Sequence, residues 1–287
     1  MINQLTSILS LSVNTKGRDF VVGDLRGAFG MLEHALAAVF FDPHTDRLFS
    51  VGNVIGKEPD SAKCIDFFNR PYVYAVLGHN EANLINLYNL IGTDTPNYLI
   101  RGEHIYKKGL NWWLDISLEL KLTIISILKT LPIIIETESL SGQKVGIIHG
   151  EVPMGMDWST FKTQIATQDN QTLTSALEGD ERIKSNESSP VVGIDCIFAG
   201  HSTVYPEYDE GLPIYGNIIM TDTGAALNQN RQCAGLSIID IDSLNRIMIE
   251  AHKFSKTLKA GDPAKLDIPD ILKNLNEPDD YSLSQTE

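Results

Sequence analysis

An α/β fold built on a buried, largely parallel sheet is what this chain of 287 residues predicts, and three observations carry that prediction. Short apolar runs of strand length lead into turns opened by glycine, helix-period apolar patterns follow the first of these runs, and the strand, turn, helix unit then repeats along the N-terminal third. Strands that alternate with helices need crossover connections, and a sheet made this way is covered on both faces.

In order, Phe20-Val21-Val22 runs into Gly23-Asp24, and Met31, Leu32, Ala35, Leu36 and Val39 give the following helix its apolar stripe. Leu48 to Val51 leads to a turn and a helix near Ser61 to Asn69; Val73 to Val76 leads to a turn and a helix near Glu81 to Leu90. Residues 92–120 are mixed and aromatic and place Trp112-Trp113 in a helical insertion of about 92–130, whose second helix covers 117–129. Strands follow at Ile133 to Thr137, Val145 to His149, Cys196 to Ala199, Ile218 to Thr221, Leu236 to Asp240 and Arg246 to Ala251. The stretch Thr160 to Ser189 is polar and closes in a loop at Asn186-Glu187-Ser188-Ser189-Pro190. One domain over 1–256 and a polar, acidic tail over 257–287 is the expected organisation.

A formal charge of -14 argues against nucleic acid as a partner, because phosphate-backbone affinity comes from Lys and Arg. Hydrophobic content of 43% and charged content of 21% are those of an ordinary globular protein. Cys64, Cys196 and Cys233 are too few and too scattered for a disulfide framework or a cysteine zinc site. The first residues lack a signal-peptide pattern, and the apolar stretch Ile124 to Ile135 is interrupted by Ser126, Lys129, Thr130 and Pro132. A soluble, cytoplasmic protein without a membrane partner is expected, with export lacking a cleavable signal left open.

Five segments carry the chemistry: Val22-Gly23-Asp24-Leu25-Arg26-Gly27, Val51-Gly52-Asn53, Leu77-Gly78-His79-Asn80-Glu81, Ile147-Ile148-His149-Gly150 and Ala199-Gly200-His201-Ser202. The first three fall beyond the carboxyl ends of strands, where α/β sheets collect their chemistry. Four of them also have a plainer use, Gly23-Asp24 and Gly78 as tight strand-to-helix turns among them. Asp24 suits a helix cap after a tight turn, and His149 and His201 suit satisfied histidines at strand ends. His34, His44, His104 and His252 lack such a setting and read as surface or packing residues.

The order and context of these segments resemble the calcineurin-like metallophosphatases, and within them the small bacterial and phage serine/threonine phosphatases of the PPP type. Their motifs read GDxHG, GDxxDRG, GNHE, H(G/A) and GH. The resemblance covers roughly residues 18–250 and extends to Leu131 to Glu136 and Thr221 to Ala225. It implies a four-layer α/β/β/α sandwich of two mixed sheets flanked by helices. It also implies a pair of metal ions bridged by a carboxylate, which polarise a phosphoryl group and supply hydroxide.

Several ligand atoms of that scheme are replaced. Arg26 stands where the family has its first histidine, and guanidinium offers no lone pair. Asn53 replaces the bridging Asp, Gly56 the Asp that orients the catalytic histidine, Lys57 a phosphate-binding Arg, and Glu58 a Gly. His79-Asn80 inverts the family's Asn-His, so Asn80 occupies the general-acid position and cannot protonate a leaving alkoxide. Leu77 takes the place of a second arginine, and Arg182 is an imperfect match for a third.

The resemblance therefore implies no metal or one divalent ion, zinc or manganese, with Asp24, Asn53, His79, His149 and His201 as its ligands, and no dinuclear centre. Arg26 and Lys57 are expected as phosphate contacts. A pseudophosphatase that binds a protein or phosphoprotein is the expected function. A mononuclear metal-dependent phosphoesterase is the alternative, and a role residing in the insertion or the tail is a third.

Overall fold

The computed structural model describes residues 7–57, 59–91, 110–206, 211–226 and 233–254. Among the described residues, eleven strands form two mixed sheets. The first comprises β1 (Ile8–Ser10), β5 (Ile134–Glu138), β6 (Lys144–Ile148), β7 (Cys196–Ala199), β9 (Ile218–Met220) and β8 (Ile214–Tyr215), in that spatial order. The second runs β11 (Arg246–Glu250), β10 (Gly235–Asp240), β2 (Asp19–Val22), β3 (Arg47–Ser50) and β4 (Val73–Ala75).

Parallel pairing joins β2 to β3 and β3 to β4 in one sheet, and β6 to β7 and β7 to β9 in the other. Antiparallel strands flank these parallel sets: β10 lies beside β2 with Ile238 opposite Val22, and β5 beside β6 with Ile135 opposite Ile147. The expectation of a largely parallel sheet thus holds for the centre of each sheet. The antiparallel pairs β5–β6, β8–β9 and β10–β11 come from short connections, which leave no room for a crossover, whereas β10 reaches β2 from the far end of the chain.

Alternation along each strand divides the core. Val21, Phe49, Ile135, Val145, Ile147, Phe198, Ile219 and Ile239 form a buried cluster drawn from both sheets, which is the layer between them. Their neighbours Phe20, Val22, Leu48, Ile134, Ile148 and Ile197 face the other way and pack in the cluster that takes in the helices. Full burial of each such side chain contributes about 1.5–3 kcal/mol.

The helices of the described residues are α1 (Phe29–Ala38), α2 (Cys64–Phe68, preceded by a 3-10 turn at Pro59–Lys63), α3 (His79–Ile91), α4 (Asn111–Asp115), α5 (Leu118–Leu128), α6 (Trp158–Ala166), α7 (Asn170–Glu178) and α8 (Glu181–Ser185). The last three fill the stretch that looked merely polar. Asp157 and Asp169 cap α6 and α7 by accepting from the backbone N–H of Thr160 and Thr172. The Asp-x-x-Thr spacing was the signal for these helices. Of the expected insertion, residues 110–130 carry α4 and α5, while 92–109, with His104, lie outside the described residues, as do Glu58 and the tail over 257–287. Among the described residues no helix is long and apolar enough to cross a membrane.

At the end of the sheet opposite the strand carboxyl ends, Asp46 ties β3 to the start of β2. Its carboxylate accepts from the N–H of Arg18 at 2.8 Å, from Asp42 N–H at 3.0 Å and from the Arg18 guanidinium at 2.7 Å. Burial pushes its carboxyl up, but these donors outweigh it and hold it below the ordinary 3.8. A carboxyl depressed in the folded state contributes stability above its unfolded value, which is lost as pH falls through the folded one. Asp46→Asn therefore costs about 1–2 kcal/mol at pH 7, and urea titrations show the gap from the parent closing as pH falls below about 4.

Candidate metal centre

Six strands that run the same way end at one edge of the sandwich, and each loop beyond them delivers a polar side chain. Asp24 and Arg26 follow β2, Asn53 follows β3, His79 opens α3 after β4, His149 follows β6, His201 follows β7 and Asp222 follows β9. Three of these residues hold left-handed backbone conformations, Arg26 at φ 48°, Asn53 at φ 49° and His201 at φ 63°. Strain of this kind in non-glycine residues costs about 1–3 kcal/mol each and persists only where surrounding bonds enforce it.

The bonds that enforce it are visible. Glu81 is fully buried, and its carboxylate accepts from the backbone N–H of Asn53 at 2.9 Å, Ile55 at 2.9 Å and Gly78 at 3.0 Å, which fastens the loop after β3 to the start of α3. Burial raises its carboxyl to about 7 against the pull of those N–H groups. Glu81 belongs to the third motif, yet its role could not be read from spacing, because two of its three partners are backbone groups 26 and 28 residues away. At Gly78 a Cβ would sit 2.2 Å from Asn53 N, so only glycine lets the two loops approach.

Arg26 projects into the cleft between two carboxylates. Its guanidinium donates to Asp24 Oδ2 at 2.9 Å and to Asp222 Oδ2 at 3.2 Å, with both acids buried. Asp222 is held in turn by Thr203 Oγ1 at 2.8 Å and by the N–H of Gly224 at 2.9 Å. Burial and then the neighbouring Asp24 push the Asp222 carboxyl up to about 7 although Arg26 opposes them, and burial raises Asp24 as well. One cation and two acids, one of them near its titration point, leave this cluster close to neutral. The loop geometry also accounts for Gly56: a Cβ there would lie 2.7 Å from Arg26 Cβ, so an aspartate at 56 would collide with the chain at 26.

Asn53 is oriented by a backbone donor. Its Oδ1 accepts from Asn80 N–H at 3.0 Å, so Nδ2 is the atom that reaches Asp24 Oδ2 at 2.8 Å and lies 3.4 Å from His79 Nδ1. Asp24 receives a further donor, His201 N–H, on Oδ1 at 3.2 Å. Both oxygens of Asp24 and the amide oxygen of Asn53 thus carry internal hydrogen bonds. Asn80 donates its side chain to Ile55 O at 2.9 Å.

The three histidines converge. His79 Nδ1 lies 2.9 Å from His149 Nε2 and 3.0 Å from His201 Nδ1, and one nitrogen from each ring falls within 4.8 Å of the other two. His149 Nδ1 is 2.7 Å from the carbonyl of Val51, which fixes its proton there and leaves the Nε2 lone pair facing the other rings. Burial, then the nearby His201 and Arg26, hold the His149 imidazolium well below its ordinary range, so the ring is neutral and fit to ligate. Converging imidazoles, with His149 neutral and a carbonyl behind it, suit a single transition-metal ion.

Of the residues singled out from sequence, Asp24, Arg26, Asn53, His79, Asn80, His149 and His201 come together in one network. Lys57 sits on an exposed turn outside it. Leu77 is buried in the core, and Arg182 is buried with its guanidinium on Val152 O and Ser189 O. Asp222 was legible only as part of a supporting turn, since nothing in the sequence pairs it with a residue 196 positions earlier.

Two mixed sheets face to face, helices outside, and a cleft of histidines and carboxylates at the strand ends define a metallophosphatase-type sandwich. The chain is similar in sequence to bacterial serine/threonine phosphatases and shares the fold of solved phosphatase structures. No family model matches it. It is 27% identical over 209 residues to serine/threonine-protein phosphatase 1 of Salmonella typhimurium, covering 72% of this chain and 86% of that protein. Serine/threonine-protein phosphatase 2 of Escherichia coli is 26% identical over 72% of this chain and 87% of its own length. A shorter stretch of 80 residues, 27% of this chain, is 34% identical to 29% of a symmetrical bis(5'-nucleosyl)-tetraphosphatase of Shewanella oneidensis. Among solved structures, one provisionally assigned as a diadenosine tetraphosphatase superposes with a TM-score of 0.57 at 21% identity, covering 85% of this chain and 97% of that one. A serine/threonine phosphatase from Saccharomyces cerevisiae gives 0.51 at 14% identity, over 84% and 82%.

Proposed function

We propose that the chain is a degenerate PPP-type serine/threonine phosphatase, a pseudophosphatase with little or no phosphoester hydrolysis that acts by binding a protein or phosphoprotein. The observation that carries this is the Arg26 guanidinium held between Asp24 and Asp222. A fixed cation there satisfies the carboxylates that a metal ion would otherwise draw on, and it repels a second dication from the same place. Asn80, bonded to Ile55 O, has no acidic proton to give a leaving group. Loss of one preorganised group costs about a hundredfold or more in rate, and this chain departs from the motif at several.

A second reading draws on the converging imidazoles of His79, His149 and His201. One ion held there would polarise a bound oxygen and make hydroxide available near neutral pH, a mononuclear phosphoesterase. Around that ion the protein's own contributions are clear: Val51 O keeps the His149 proton away from the pocket, and Arg26 holds Asp24 and Asp222 aside.

Purified protein assayed with p-nitrophenyl phosphate and phosphopeptides, with manganese or zinc added, separates the two. Turnover at the level of the protein-free blank is expected. Robust turnover that His149→Ala abolishes would overturn the pseudophosphatase and leave the mononuclear enzyme standing.

A further inference from the structure

We infer that the histidine cluster is a nitrogen-only site selective for an imidazole-preferring ion of the zinc class over manganese and magnesium. This rests on the reading that the cleft holds one ion at most. The family motif supplies oxygen donors beside its histidines; here the oxygens are engaged elsewhere. Asp24 accepts from Arg26 and Asn53 on Oδ2 and from His201 N–H on Oδ1. Asn53 turns its Oδ1 to Asn80 N–H and presents Nδ2, a donor, to the cleft. An amide N–H at 3.4 Å from His79 Nδ1 faces a cation with the wrong sign of charge.

What the cleft does offer is three ring nitrogens, His79 Nδ1 lying between the other two. Ligand nitrogens at tetrahedral angles on one zinc sit about 3.3 Å apart; the two pairs that His79 makes lie at 2.9 Å and 3.0 Å, and one nitrogen from each of the three rings falls within 4.8 Å of the others. A proton on His79 Nδ1 points at one neighbour and leaves its lone pair-bearing counterpart unserved, whereas one cation satisfies all three at once. Imidazole favours zinc, copper, nickel and iron, while manganese and magnesium favour carboxylate, carbonyl and water. The exchange of letters at His79-Asn80 therefore changes the class of ion. It adds a third imidazole where the family motif has an amide.

Equilibrium dialysis of the full chain against Zn(II) and against Mn(II), with bound metal counted by atomic spectroscopy, tests this. One zinc per chain is expected, with manganese roughly a hundredfold weaker or more. His79→Asn should weaken zinc at least about a hundredfold, the upper end of what loss of an outer partner alone produces, with an unchanged far-UV spectrum. As a readout independent of that variant's folding, cobalt is loaded into the parent protein, whose visible absorption should show an intense nitrogen-ligated low-coordinate spectrum. Equal affinity for manganese, a weak octahedral cobalt spectrum, a second bound ion, or no bound metal would each overturn the inference. Absence of metal leaves the pseudophosphatase intact, and fast phosphoester turnover would defeat that function while leaving the zinc preference to stand or fall on dialysis.

Discussion

Arg26→Ala lowers the stability of the fold by about 3–5 kcal/mol, the cost of leaving a buried charge without its partner. The guanidinium joins the loop after β2 to Asp222 in the other sheet, so its removal leaves two buried carboxylates facing one another. For a domain of this size the loss corresponds to a melting temperature lower by roughly 10 °C. The sign of its pH dependence follows from the acids. Without the cation their folded values rise further above the unfolded 3.8, so the deficit opens as pH rises through the parent's folded values, about 7 for Asp222, is fullest above those of the variant, and vanishes as pH falls well below those of the parent. Urea titrations at about pH 9 and pH 4 measure both ends of that window. A loss under about 1 kcal/mol at the higher pH would mean that the cluster does not hold the sheets together.

Restoring four letters has the largest expected effect on chemistry. The variant Arg26→His, Asn53→Asp, His79→Asn, Asn80→His returns a lone pair to the first site, a carboxylate to the bridging position and an acid to the leaving-group side. A gain in p-nitrophenyl phosphate turnover of at least about a hundredfold over the parent is expected, together with two bound ions by metal analysis. Gly56 is kept in this variant because the crowding comes from Cβ and backbone atoms of residue 26, which any side chain there retains. A folded variant that binds two ions and turns over no faster than the parent would show that these four departures are not what limits hydrolysis.

Much of this was legible before any coordinates. The run of apolar segments into Gly23, Gly52 and Gly78 located three strand ends, and the spacing of Met31, Leu32, Ala35 and Leu36 gave α1 its buried face. Other elements carried weaker local signals. β1 and β8 have three and two residues, too short for a period to register, and α6 and α7 announced themselves only through their capping aspartates.

The chemical identity of each group is a property of the residue alone: that guanidinium has no lone pair and that carboxamide is not an acid follow from the letters Arg26 and Asn80. Which atom of Asn53 faces the cleft, that Asp222 is the second partner of Arg26, and that three imidazoles from separate loops share one point are matters of direction and long-range closure. Those were decided only when two sheets packed together, because a hydrogen bond selects its partner by distance and angle in space, and chain separation carries no record of either.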